Sequence, residues 1–435
     1  MNKTFKIVTL GCKVNQYESA YLRESLMDAE YAPVSEDEEA DITVVNTCIV
    51  TQRAAYQSRQ AIRKAIRDNP SGRTAAVGCY AQVFPGELAE IKGLALVAGN
   101  TCKGQLPNLL AKASDRGKVS CYSKDFPSCL PFEVMPIDGF PGRTRAFLKI
   151  QDGCRSFCSY CIVPRARGPL RSLEPEGVMS MLRSLSGKGY REVVLTGIHL
   201  GKYGADLAPS LNLKGLLRRI GREPLDLRVR LSSLHPDEMD GEMIDMVASE
   251  EWLCPHFHIS LQSGNDRILR GMNRKYSASN FSALVSYIHR RMPLAAIGVD
   301  LIAGFPGETH EDFQDTFALI DRLPVSYLHV FPYSQRMGTP AAGLPNQVAS
   351  DTKKERARAL RKLGYKKRTA FYRSCMGNVF SVLVEGVDPE GGGMAEGWSE
   401  NYVPVLFPCA QGVKNRLFVI RMNGLGKGKV LGEIQ

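Results

Sequence analysis

The chain predicts an α/β protein in three successive parts: an open parallel α/β domain, a partial (β/α)6 barrel and a small antiparallel β-barrel of oligonucleotide-binding type. Three observations carry this. A strand–loop–helix unit is written three times before Asn100, six more strand-and-helix units follow from Arg145, and short strands with glycine turns fill Met376 to Gln435.

The first part spans 1–120. The runs IVTLGC, ITVVNTC and AAVGC read as strands, and polar segments of helical spacing follow at Asn15 to Glu30, Thr51 to Asp68 and Gln82 to Ile91. Cys12, Cys48 and Cys79 each stand just past a strand end. Right-handed crossovers bring the carboxyl ends of parallel strands to one edge, where ligands bind, so three thiols far apart in the chain can converge. The alternative is three buried cysteines serving as small apolar residues.

Residues 121–143, CYSKDFPSCLPFEVMPIDGFPGR, hold four prolines and two glycines without a sustained period, and read as a linker. The second part, 144–375, supplies candidate strands at Ala146–Ile150, Glu192–Thr196, Leu227–Ser232, Phe257–Leu261, Ile297–Ile302 and Tyr327–Phe331. A barrel of this kind works at the carboxyl end of its strands. There the sequence places Thr196-Gly197, Ser232-Ser233, Gln262-Ser263-Gly264 and the stretch from Asp300 to Glu308. Glycines let a ligand approach the backbone, while hydroxyls and amides grip a ribose or amino-acid end.

Between the first strand of the barrel and its first helix stands Cys154-x3-Cys158-x2-Cys161, in KIQDGCRSFCSYCIVPRARG. Three thiolates on one loop can hold three corners of a cubane iron–sulfur cluster, with no fourth cysteine nearby to close the last iron. A structural zinc site would want a second knuckle or paired histidines, and none follows within reach. Cys102, Cys121, Cys129, Cys254, Cys375 and Cys409 show no ligand spacing and read as packing or surface residues.

Charge is uneven. The chain carries +11, and Asp351 to Cys375 holds ten Lys or Arg against two acids, which reads as a long basic helix; Met376 to Gln435 is close to neutral. Arg165, Arg167 and Arg171 form a second basic cluster just past the three-cysteine loop. Such stripes attract phosphate backbones, although a basic helix can also be a solvated outer face. No run approaches the ~20 apolar residues of a membrane span, and MNKTFKIVTLG lacks the apolar core of a leader. Twelve cysteines without such a leader point to reduced thiols and a cytoplasmic protein.

The Cys-x3-Cys-x-aromatic-Cys loop, with Tyr160 as the aromatic, resembles the signature of radical S-adenosylmethionine enzymes. With Cys12, Cys48, Cys79, LQSGNDRILRGMNRKYS, FPYSQRMGTPAA and the tail β-domain, the chain is similar to the methylthiotransferases of that superfamily. Within them, LGCKVNQYES and the cluster loop resemble the branch acting on tRNA N6-threonylcarbamoyladenosine at position 37; relatives act on N6-isopentenyladenosine of tRNA or on a ribosomal-protein aspartate. The resemblance implies two [4Fe-4S] clusters, one on Cys154, Cys158 and Cys161 and an auxiliary one on Cys12, Cys48 and Cys79, together with S-adenosylmethionine. A deoxyadenosyl radical would take hydrogen from adenine C2, and the auxiliary cluster would carry the sulfur; no catalytic side chain is assigned beyond the clusters. Cofactor contacts fall on Tyr160, Thr196, Gly197, Ser232, Ser233 and Gln262, with Gly304 and Gly307 shaping the adenine side. The resemblance further implies a tRNA anticodon stem-loop as partner, met by a tail of TRAM type, and an electron donor such as flavodoxin or ferredoxin; the charge distribution assigns much of the phosphate attraction to the basic helix and to Arg165, Arg167 and Arg171. An RNA-binding protein with structural metal sites and no turnover is the non-enzymatic alternative.

Overall fold

The computed structural model describes residues 3–35, 37–113, 119–208, 211–388, 393–409, 412–426 and 428–435; Met1 and Asn2 of the amino-terminal stretch read above lie outside them. The amino-terminal sheet is wholly parallel. Its order is Ala32–Pro33, Thr4–Thr9, Ile42–Thr47, Arg73–Gly78, Leu94–Ala98 and Ser120–Tyr122. Ile42–Thr47 is buried along its whole length, as expected of a central strand covered on both faces. The expected helix Gln82 to Ile91 is instead two short helices, Cys79–Val83 and Pro85–Ala89. Pro85 lacks an N–H and forces Phe84 out of helical backbone, with φ −133° and ψ 61°.

The expected linker is no loose spacer. Cys121 and Tyr122 pair with Val97 and Ala98 as the edge of the sheet, so the sheet runs past the boundary set at 120. Further on, Met135, Ile137 and Phe140 enter the core of the barrel domain, and the Tyr17 hydroxyl donates to the Met135 carbonyl at 2.6 Å. Proline punctuation marks the absence of regular structure here, not the absence of packing.

The middle region forms the six expected parallel strands, Arg145–Asp152, Glu192–Gly197, Arg228–Leu231, His256–Gln262, Ala296–Ala303 and Tyr327–Pro332. Isolated bridges from Val229 to Leu253 and from Leu234 to Ile259 join its two halves, and no strand closes the gap from Tyr327–Pro332 back to Arg145–Asp152 among the described residues. Alternation sets the two faces: Ala146, Leu148 and Ile150 are fully buried toward the helices, whereas Lys149 and Gln151 face inward. Helix Lys13–Asp28 of the amino-terminal domain packs against Arg145–Asp152, bringing Tyr17 into the barrel core.

Helix Ser350–Ser374 then lies along Tyr327–Pro332, burying Ala357, Leu360, Leu363 and Gly364. It leads into a closed five-stranded barrel of Val379–Asp388, Met394–Ser399, Pro404–Pro408, Leu417–Leu425 and Val430–Ile434. All its pairs are antiparallel except Pro404–Pro408 with Val430–Ile434. This barrel docks at the amino ends of the middle strands, away from their working ends. Arg145 pairs with Glu385 at 2.7 Å, Arg228 donates to the Ser381 carbonyl at 2.8 Å, and Arg230 to the Glu400 carbonyl at 2.8 Å.

Candidate active site

Three strand ends of the amino-terminal sheet deliver Cys12, Cys48 and Cys79 to one place. Gly11 turns the chain with φ +101°, and a Cβ there would stand 3.0 Å from Cys48 Cβ and 3.1 Å from its sulfur. The three thiols are near enough to feel one another's charge, and burial pushes the Cys48 thiol up to about 12. Arg167 Nε donates to Cys79 Sγ at 3.2 Å.

That arginine explains much of the local architecture. It ends the short helix Val163–Arg167, only a few residues past Cys161, and is 1% exposed. Its guanidinium meets Glu18 Oε1 at 2.5 Å and Asn15 Oδ1 at 2.5 Å. Glu18 also takes Lys103 at 2.5 Å and Lys149 at 3.2 Å, while Asp152 takes Arg171 at 3.1 Å. A buried charge must be paired and hydrogen-bonded, and this network does so between two domains. The assignment of Arg167 and Arg171 to RNA is therefore corrected: both are buried against Glu18 and Asp152, carboxylates that local sequence did not connect to them. Arg165 alone of the three is exposed, its guanidinium 5.7 Å from the Phe84 ring centre.

The second triad is local. Gly153 has φ +75°, and a Cβ there would collide with the Pro169 carbonyl, so this turn requires glycine. The Ser156 backbone N–H donates to the Cys154 sulfur at 3.5 Å, and His199 Nδ1 stands 3.5 Å from the same sulfur. His199 Nε2 in turn meets Glu238 Oε1 at 2.5 Å. Burial would raise the Cys154 thiol, but the His199 contacts outweigh it and lower the thiol below its ordinary value. Arg274 Nη1 donates to Cys158 Sγ at 3.3 Å, and burial pushes Cys161 up to about 12. Arg274, His199 and Glu238 were not singled out from the sequence; a charged residue in an otherwise ordinary turn, as in GMNRKY, was their only trace.

Both triads fit a wide metal group better than a single ion. Among the described residues, ligating side chains drawn within 4.8 Å of one another are His199–His235–Glu238 and His258–Asp300–His329, not the cysteines. Three sulfurs on one tetrahedral zinc would stand about 3.8 Å apart. The Cys154 loop and helix Cys79–Val83 line one cavity of about 490 Å3, to which Arg165 also contributes.

The remaining expected contacts sit where barrel strands end. Thr196 and Gly197 close Glu192–Gly197, and Ser232 and Ser233 follow Arg228–Leu231. Gln262 takes φ 72°, a left-handed backbone that turns the chain at the end of its strand. Gly304 and Gly307 have φ +78° and +77°, and Gly304 N donates to Glu308 Oε2 at 2.6 Å. Tyr160 packs on the apolar cluster of Ile268, Met272 and Phe305.

Residues 4–99 match the family described as uncharacterized protein family UPF0004, and residues 148–320 match the radical SAM superfamily. The threonylcarbamoyladenosine tRNA methylthiotransferase MtaB of Aquifex aeolicus is 41% identical over 86% of this chain and 91% of its own. The Bacillus subtilis protein of the same description is 35% identical over 95% and 92%. The tRNA-2-methylthio-N(6)-dimethylallyladenosine synthase of Moorella thermoacetica is 34% identical over 99% and 98%. Among solved structures, the radical S-adenosylmethionine methyltransferase TsrM of Kitasatospora setae shares the fold, with TM-score 0.57 at 17% identity over 79% of this chain and 77% of that one. No helix among the described residues is long and apolar enough to cross a membrane. With two domain matches in order and relatives aligned over nearly its full length, the chain belongs to the methylthiotransferase family of radical S-adenosylmethionine enzymes.

Proposed function

We propose that this chain converts N6-threonylcarbamoyladenosine at position 37 of tRNA to its 2-methylthio derivative. One observation carries the reading: two cysteine triads, each with a buried arginine on a sulfur, stand at the working ends of two sheets tied into one body. Cys154, Cys158 and Cys161 hold the cluster that binds S-adenosylmethionine, and Cys12, Cys48 and Cys79 the auxiliary one. When bound, these groups supply reductive cleavage of the sulfonium and the sulfur to be donated.

The protein's share is positioning. Thr196, Gly197, Ser232, Ser233 and Gln262 receive the cofactor's ribose and amino-acid end, Tyr160 borders its adenine, and the turns at Gly304 and Gly307 let it approach the backbone. Arg274 and Arg167 offset thiolate charge away from water, where each such contact is stronger than in solvent. Helix Lys13–Asp28 of the amino-terminal domain packs on the barrel strands Arg145–Asp152 and Glu192–Gly197, and Cys79–Val83 packs on Val163–Arg167. The target base must leave its stack to enter. Arg165 and the basic helix supply phosphate attraction, and the tail barrel acts as a TRAM-type RNA module. The partner is the tRNA anticodon stem-loop; flavodoxin or ferredoxin supplies electrons, in the cytoplasm.

The Moorella relative supports a second reading, the isopentenyl analogue as substrate. Mass spectrometry of tRNA nucleosides from cells lacking the protein, with and without its restoration, separates the two. Loss and return of 2-methylthio-N6-threonylcarbamoyladenosine is the expected result. Loss of the isopentenyl derivative instead would overturn the substrate and leave the chemistry.

A further inference from the structure

The strand Tyr327–Pro332 is the last of the partial barrel, and no strand pairs with its outer edge among the described residues. Between that edge, helix Ser350–Ser374 and the tail barrel lies a cavity of about 410 Å3, which shares no lining residue with the cysteine cavity. One wall is aromatic: Tyr402 stands 6.0 Å from Tyr327 and 4.6 Å from Trp398 between ring centres. Tyr402 holds this place with φ 63°, a left-handed backbone that side chains other than glycine adopt at a cost.

The facing wall is the helix. Tyr365 is 63% exposed, with the Arg368 guanidinium 5.6 Å from its ring centre. Arg368 has no ion pair or hydrogen bond among the described residues, whereas Arg361, two turns earlier, is anchored on the Val330 carbonyl at 3.1 Å. No carboxylate is among its lining residues, and Asp300 stands behind the wall with Oδ1 3.5 Å from His329 Nδ1; the cations that face the cavity are Arg361 and Arg368. Aromatic faces with guanidinium groups, free of acids, suit an unstacked base and its phosphate.

The helix also connects this place to the chemistry. Near one end Arg356 pairs with Glu308 at 2.6 Å, beside the Gly304–Gly307 turn; toward the other, Lys367 reaches the Leu323 carbonyl at 2.8 Å. Its 25 residues span about 37 Å. An RNA strand following the exposed cations Arg358, Arg361, Lys362 and Arg368 along the helix, from the working end toward the tail barrel, passes over the cavity.

We infer that the cavity between Tyr327–Pro332, the basic helix and the tail barrel binds one unstacked nucleotide of the RNA, other than the adenosine that is modified. The base lies against Tyr365 and the Tyr402 platform, and the phosphate meets Arg368. This rests on the tRNA reading above.

The test is binding of a fluorescent anticodon stem-loop by the cluster-loaded full chain, measured by anisotropy over a range of salt. Tyr365→Ala should weaken binding about tenfold at every salt concentration, because stacking is not ionic. Arg368→Ala should lower the slope of log affinity against log salt by a little under one, as loss of one phosphate contact does. Arg183→Ala, on an exposed pair with Glu223 remote from the cavity, is the control and should bind as wild type does. Wild-type affinity and slope in both cavity variants would overturn the inference while leaving the tRNA reading intact. If the wild type binds the stem-loop no better than an unrelated hairpin, the tRNA reading fails and the nucleotide assignment falls with it.

Discussion

Cys154, Cys158 and Cys161 stand on one short loop, whereas Cys12, Cys48 and Cys79 are carried in by three separate strands. Both sets nevertheless end with one buried arginine on one sulfur, Arg274 at 3.3 Å and Arg167 at 3.2 Å. The local triad needs only a glycine turn and its neighbours to be shaped. The distributed one needs a whole sheet in register and an arginine from the other domain. Arg167 follows the local loop in sequence yet serves the distributed triad in space, so the second site is not complete until the two domains dock. The barrel half alone would hold Lys149, Arg167 and Arg171 against the single carboxylate of Asp152, and docking onto Glu18 completes the pairing of that buried charge.

The comparison is broken most directly by removing one cysteine from each triad. Cys79→Ala should retain cleavage of S-adenosylmethionine to methionine and 5′-deoxyadenosine yet form no methylthio product, while Cys158→Ala should lose both. Iron analysis should fall from roughly eight atoms per chain to roughly four in either variant, as loss of one cubane requires. Equal loss of cleavage in both would show that the triads do not act separately.

Glu18→Gln attacks the docking network itself. It leaves Arg167, Lys103 and Lys149 buried without their shared carboxylate, and should cost about 3–5 kcal/mol in denaturant unfolding of the cluster-free protein. Glu223→Gln, whose partner Arg183 is about half exposed, should cost far less. A cost for Glu18→Gln no greater than for Glu223→Gln would mean the domains are held by apolar packing alone.

Acid should reveal the same network. Burial opposes ionisation of Glu18 and Asp152, but Arg167, Lys103 and Lys149 around the first, and Lys149, Arg167 and Arg171 around the second, hold both below the usual carboxylate range. A carboxyl depressed on folding contributes stability fully above its unfolded value near pH 4 and loses it as pH falls toward the folded value. Wild-type stability should therefore drop below about pH 4, and Glu18→Gln should drop less steeply there.

The smallest effects belong to the arginines on the sulfurs. Arg274→Ala and Arg167→Ala should each speed iron release to a chelator by about 10- to 100-fold, as loss of a ligand's own hydrogen-bond partner does. Release from both triads after Arg167→Ala, but from one after Arg274→Ala, would sharpen the contrast; the reverse pattern would contradict it.

The sequence by itself determined the elements and the thiols. Strand runs, helical spacing and the Cys154 loop are local patterns, and the rule that parallel strands present their carboxyl ends together was enough to gather Cys12, Cys48 and Cys79. The split at Pro85 was legible in principle, since proline acts on its immediate neighbours. Other features were decided only by tertiary structure. Arg167 and Arg171 look like a basic patch because sequence shows charge but not its partner in space; Glu18 turns Arg167 inward from far along the chain, and Asp152 holds Arg171. Met135 and Phe140 enter the core from a segment with no period, because packing can be satisfied without regular hydrogen bonding. The tail barrel's place at the amino ends of the strands follows from Arg145, Arg228 and Arg230 meeting its carbonyls and Glu385, partners that no local window contains. Local propensity is read along the chain, but the pairing of a buried charge is a property of the folded volume.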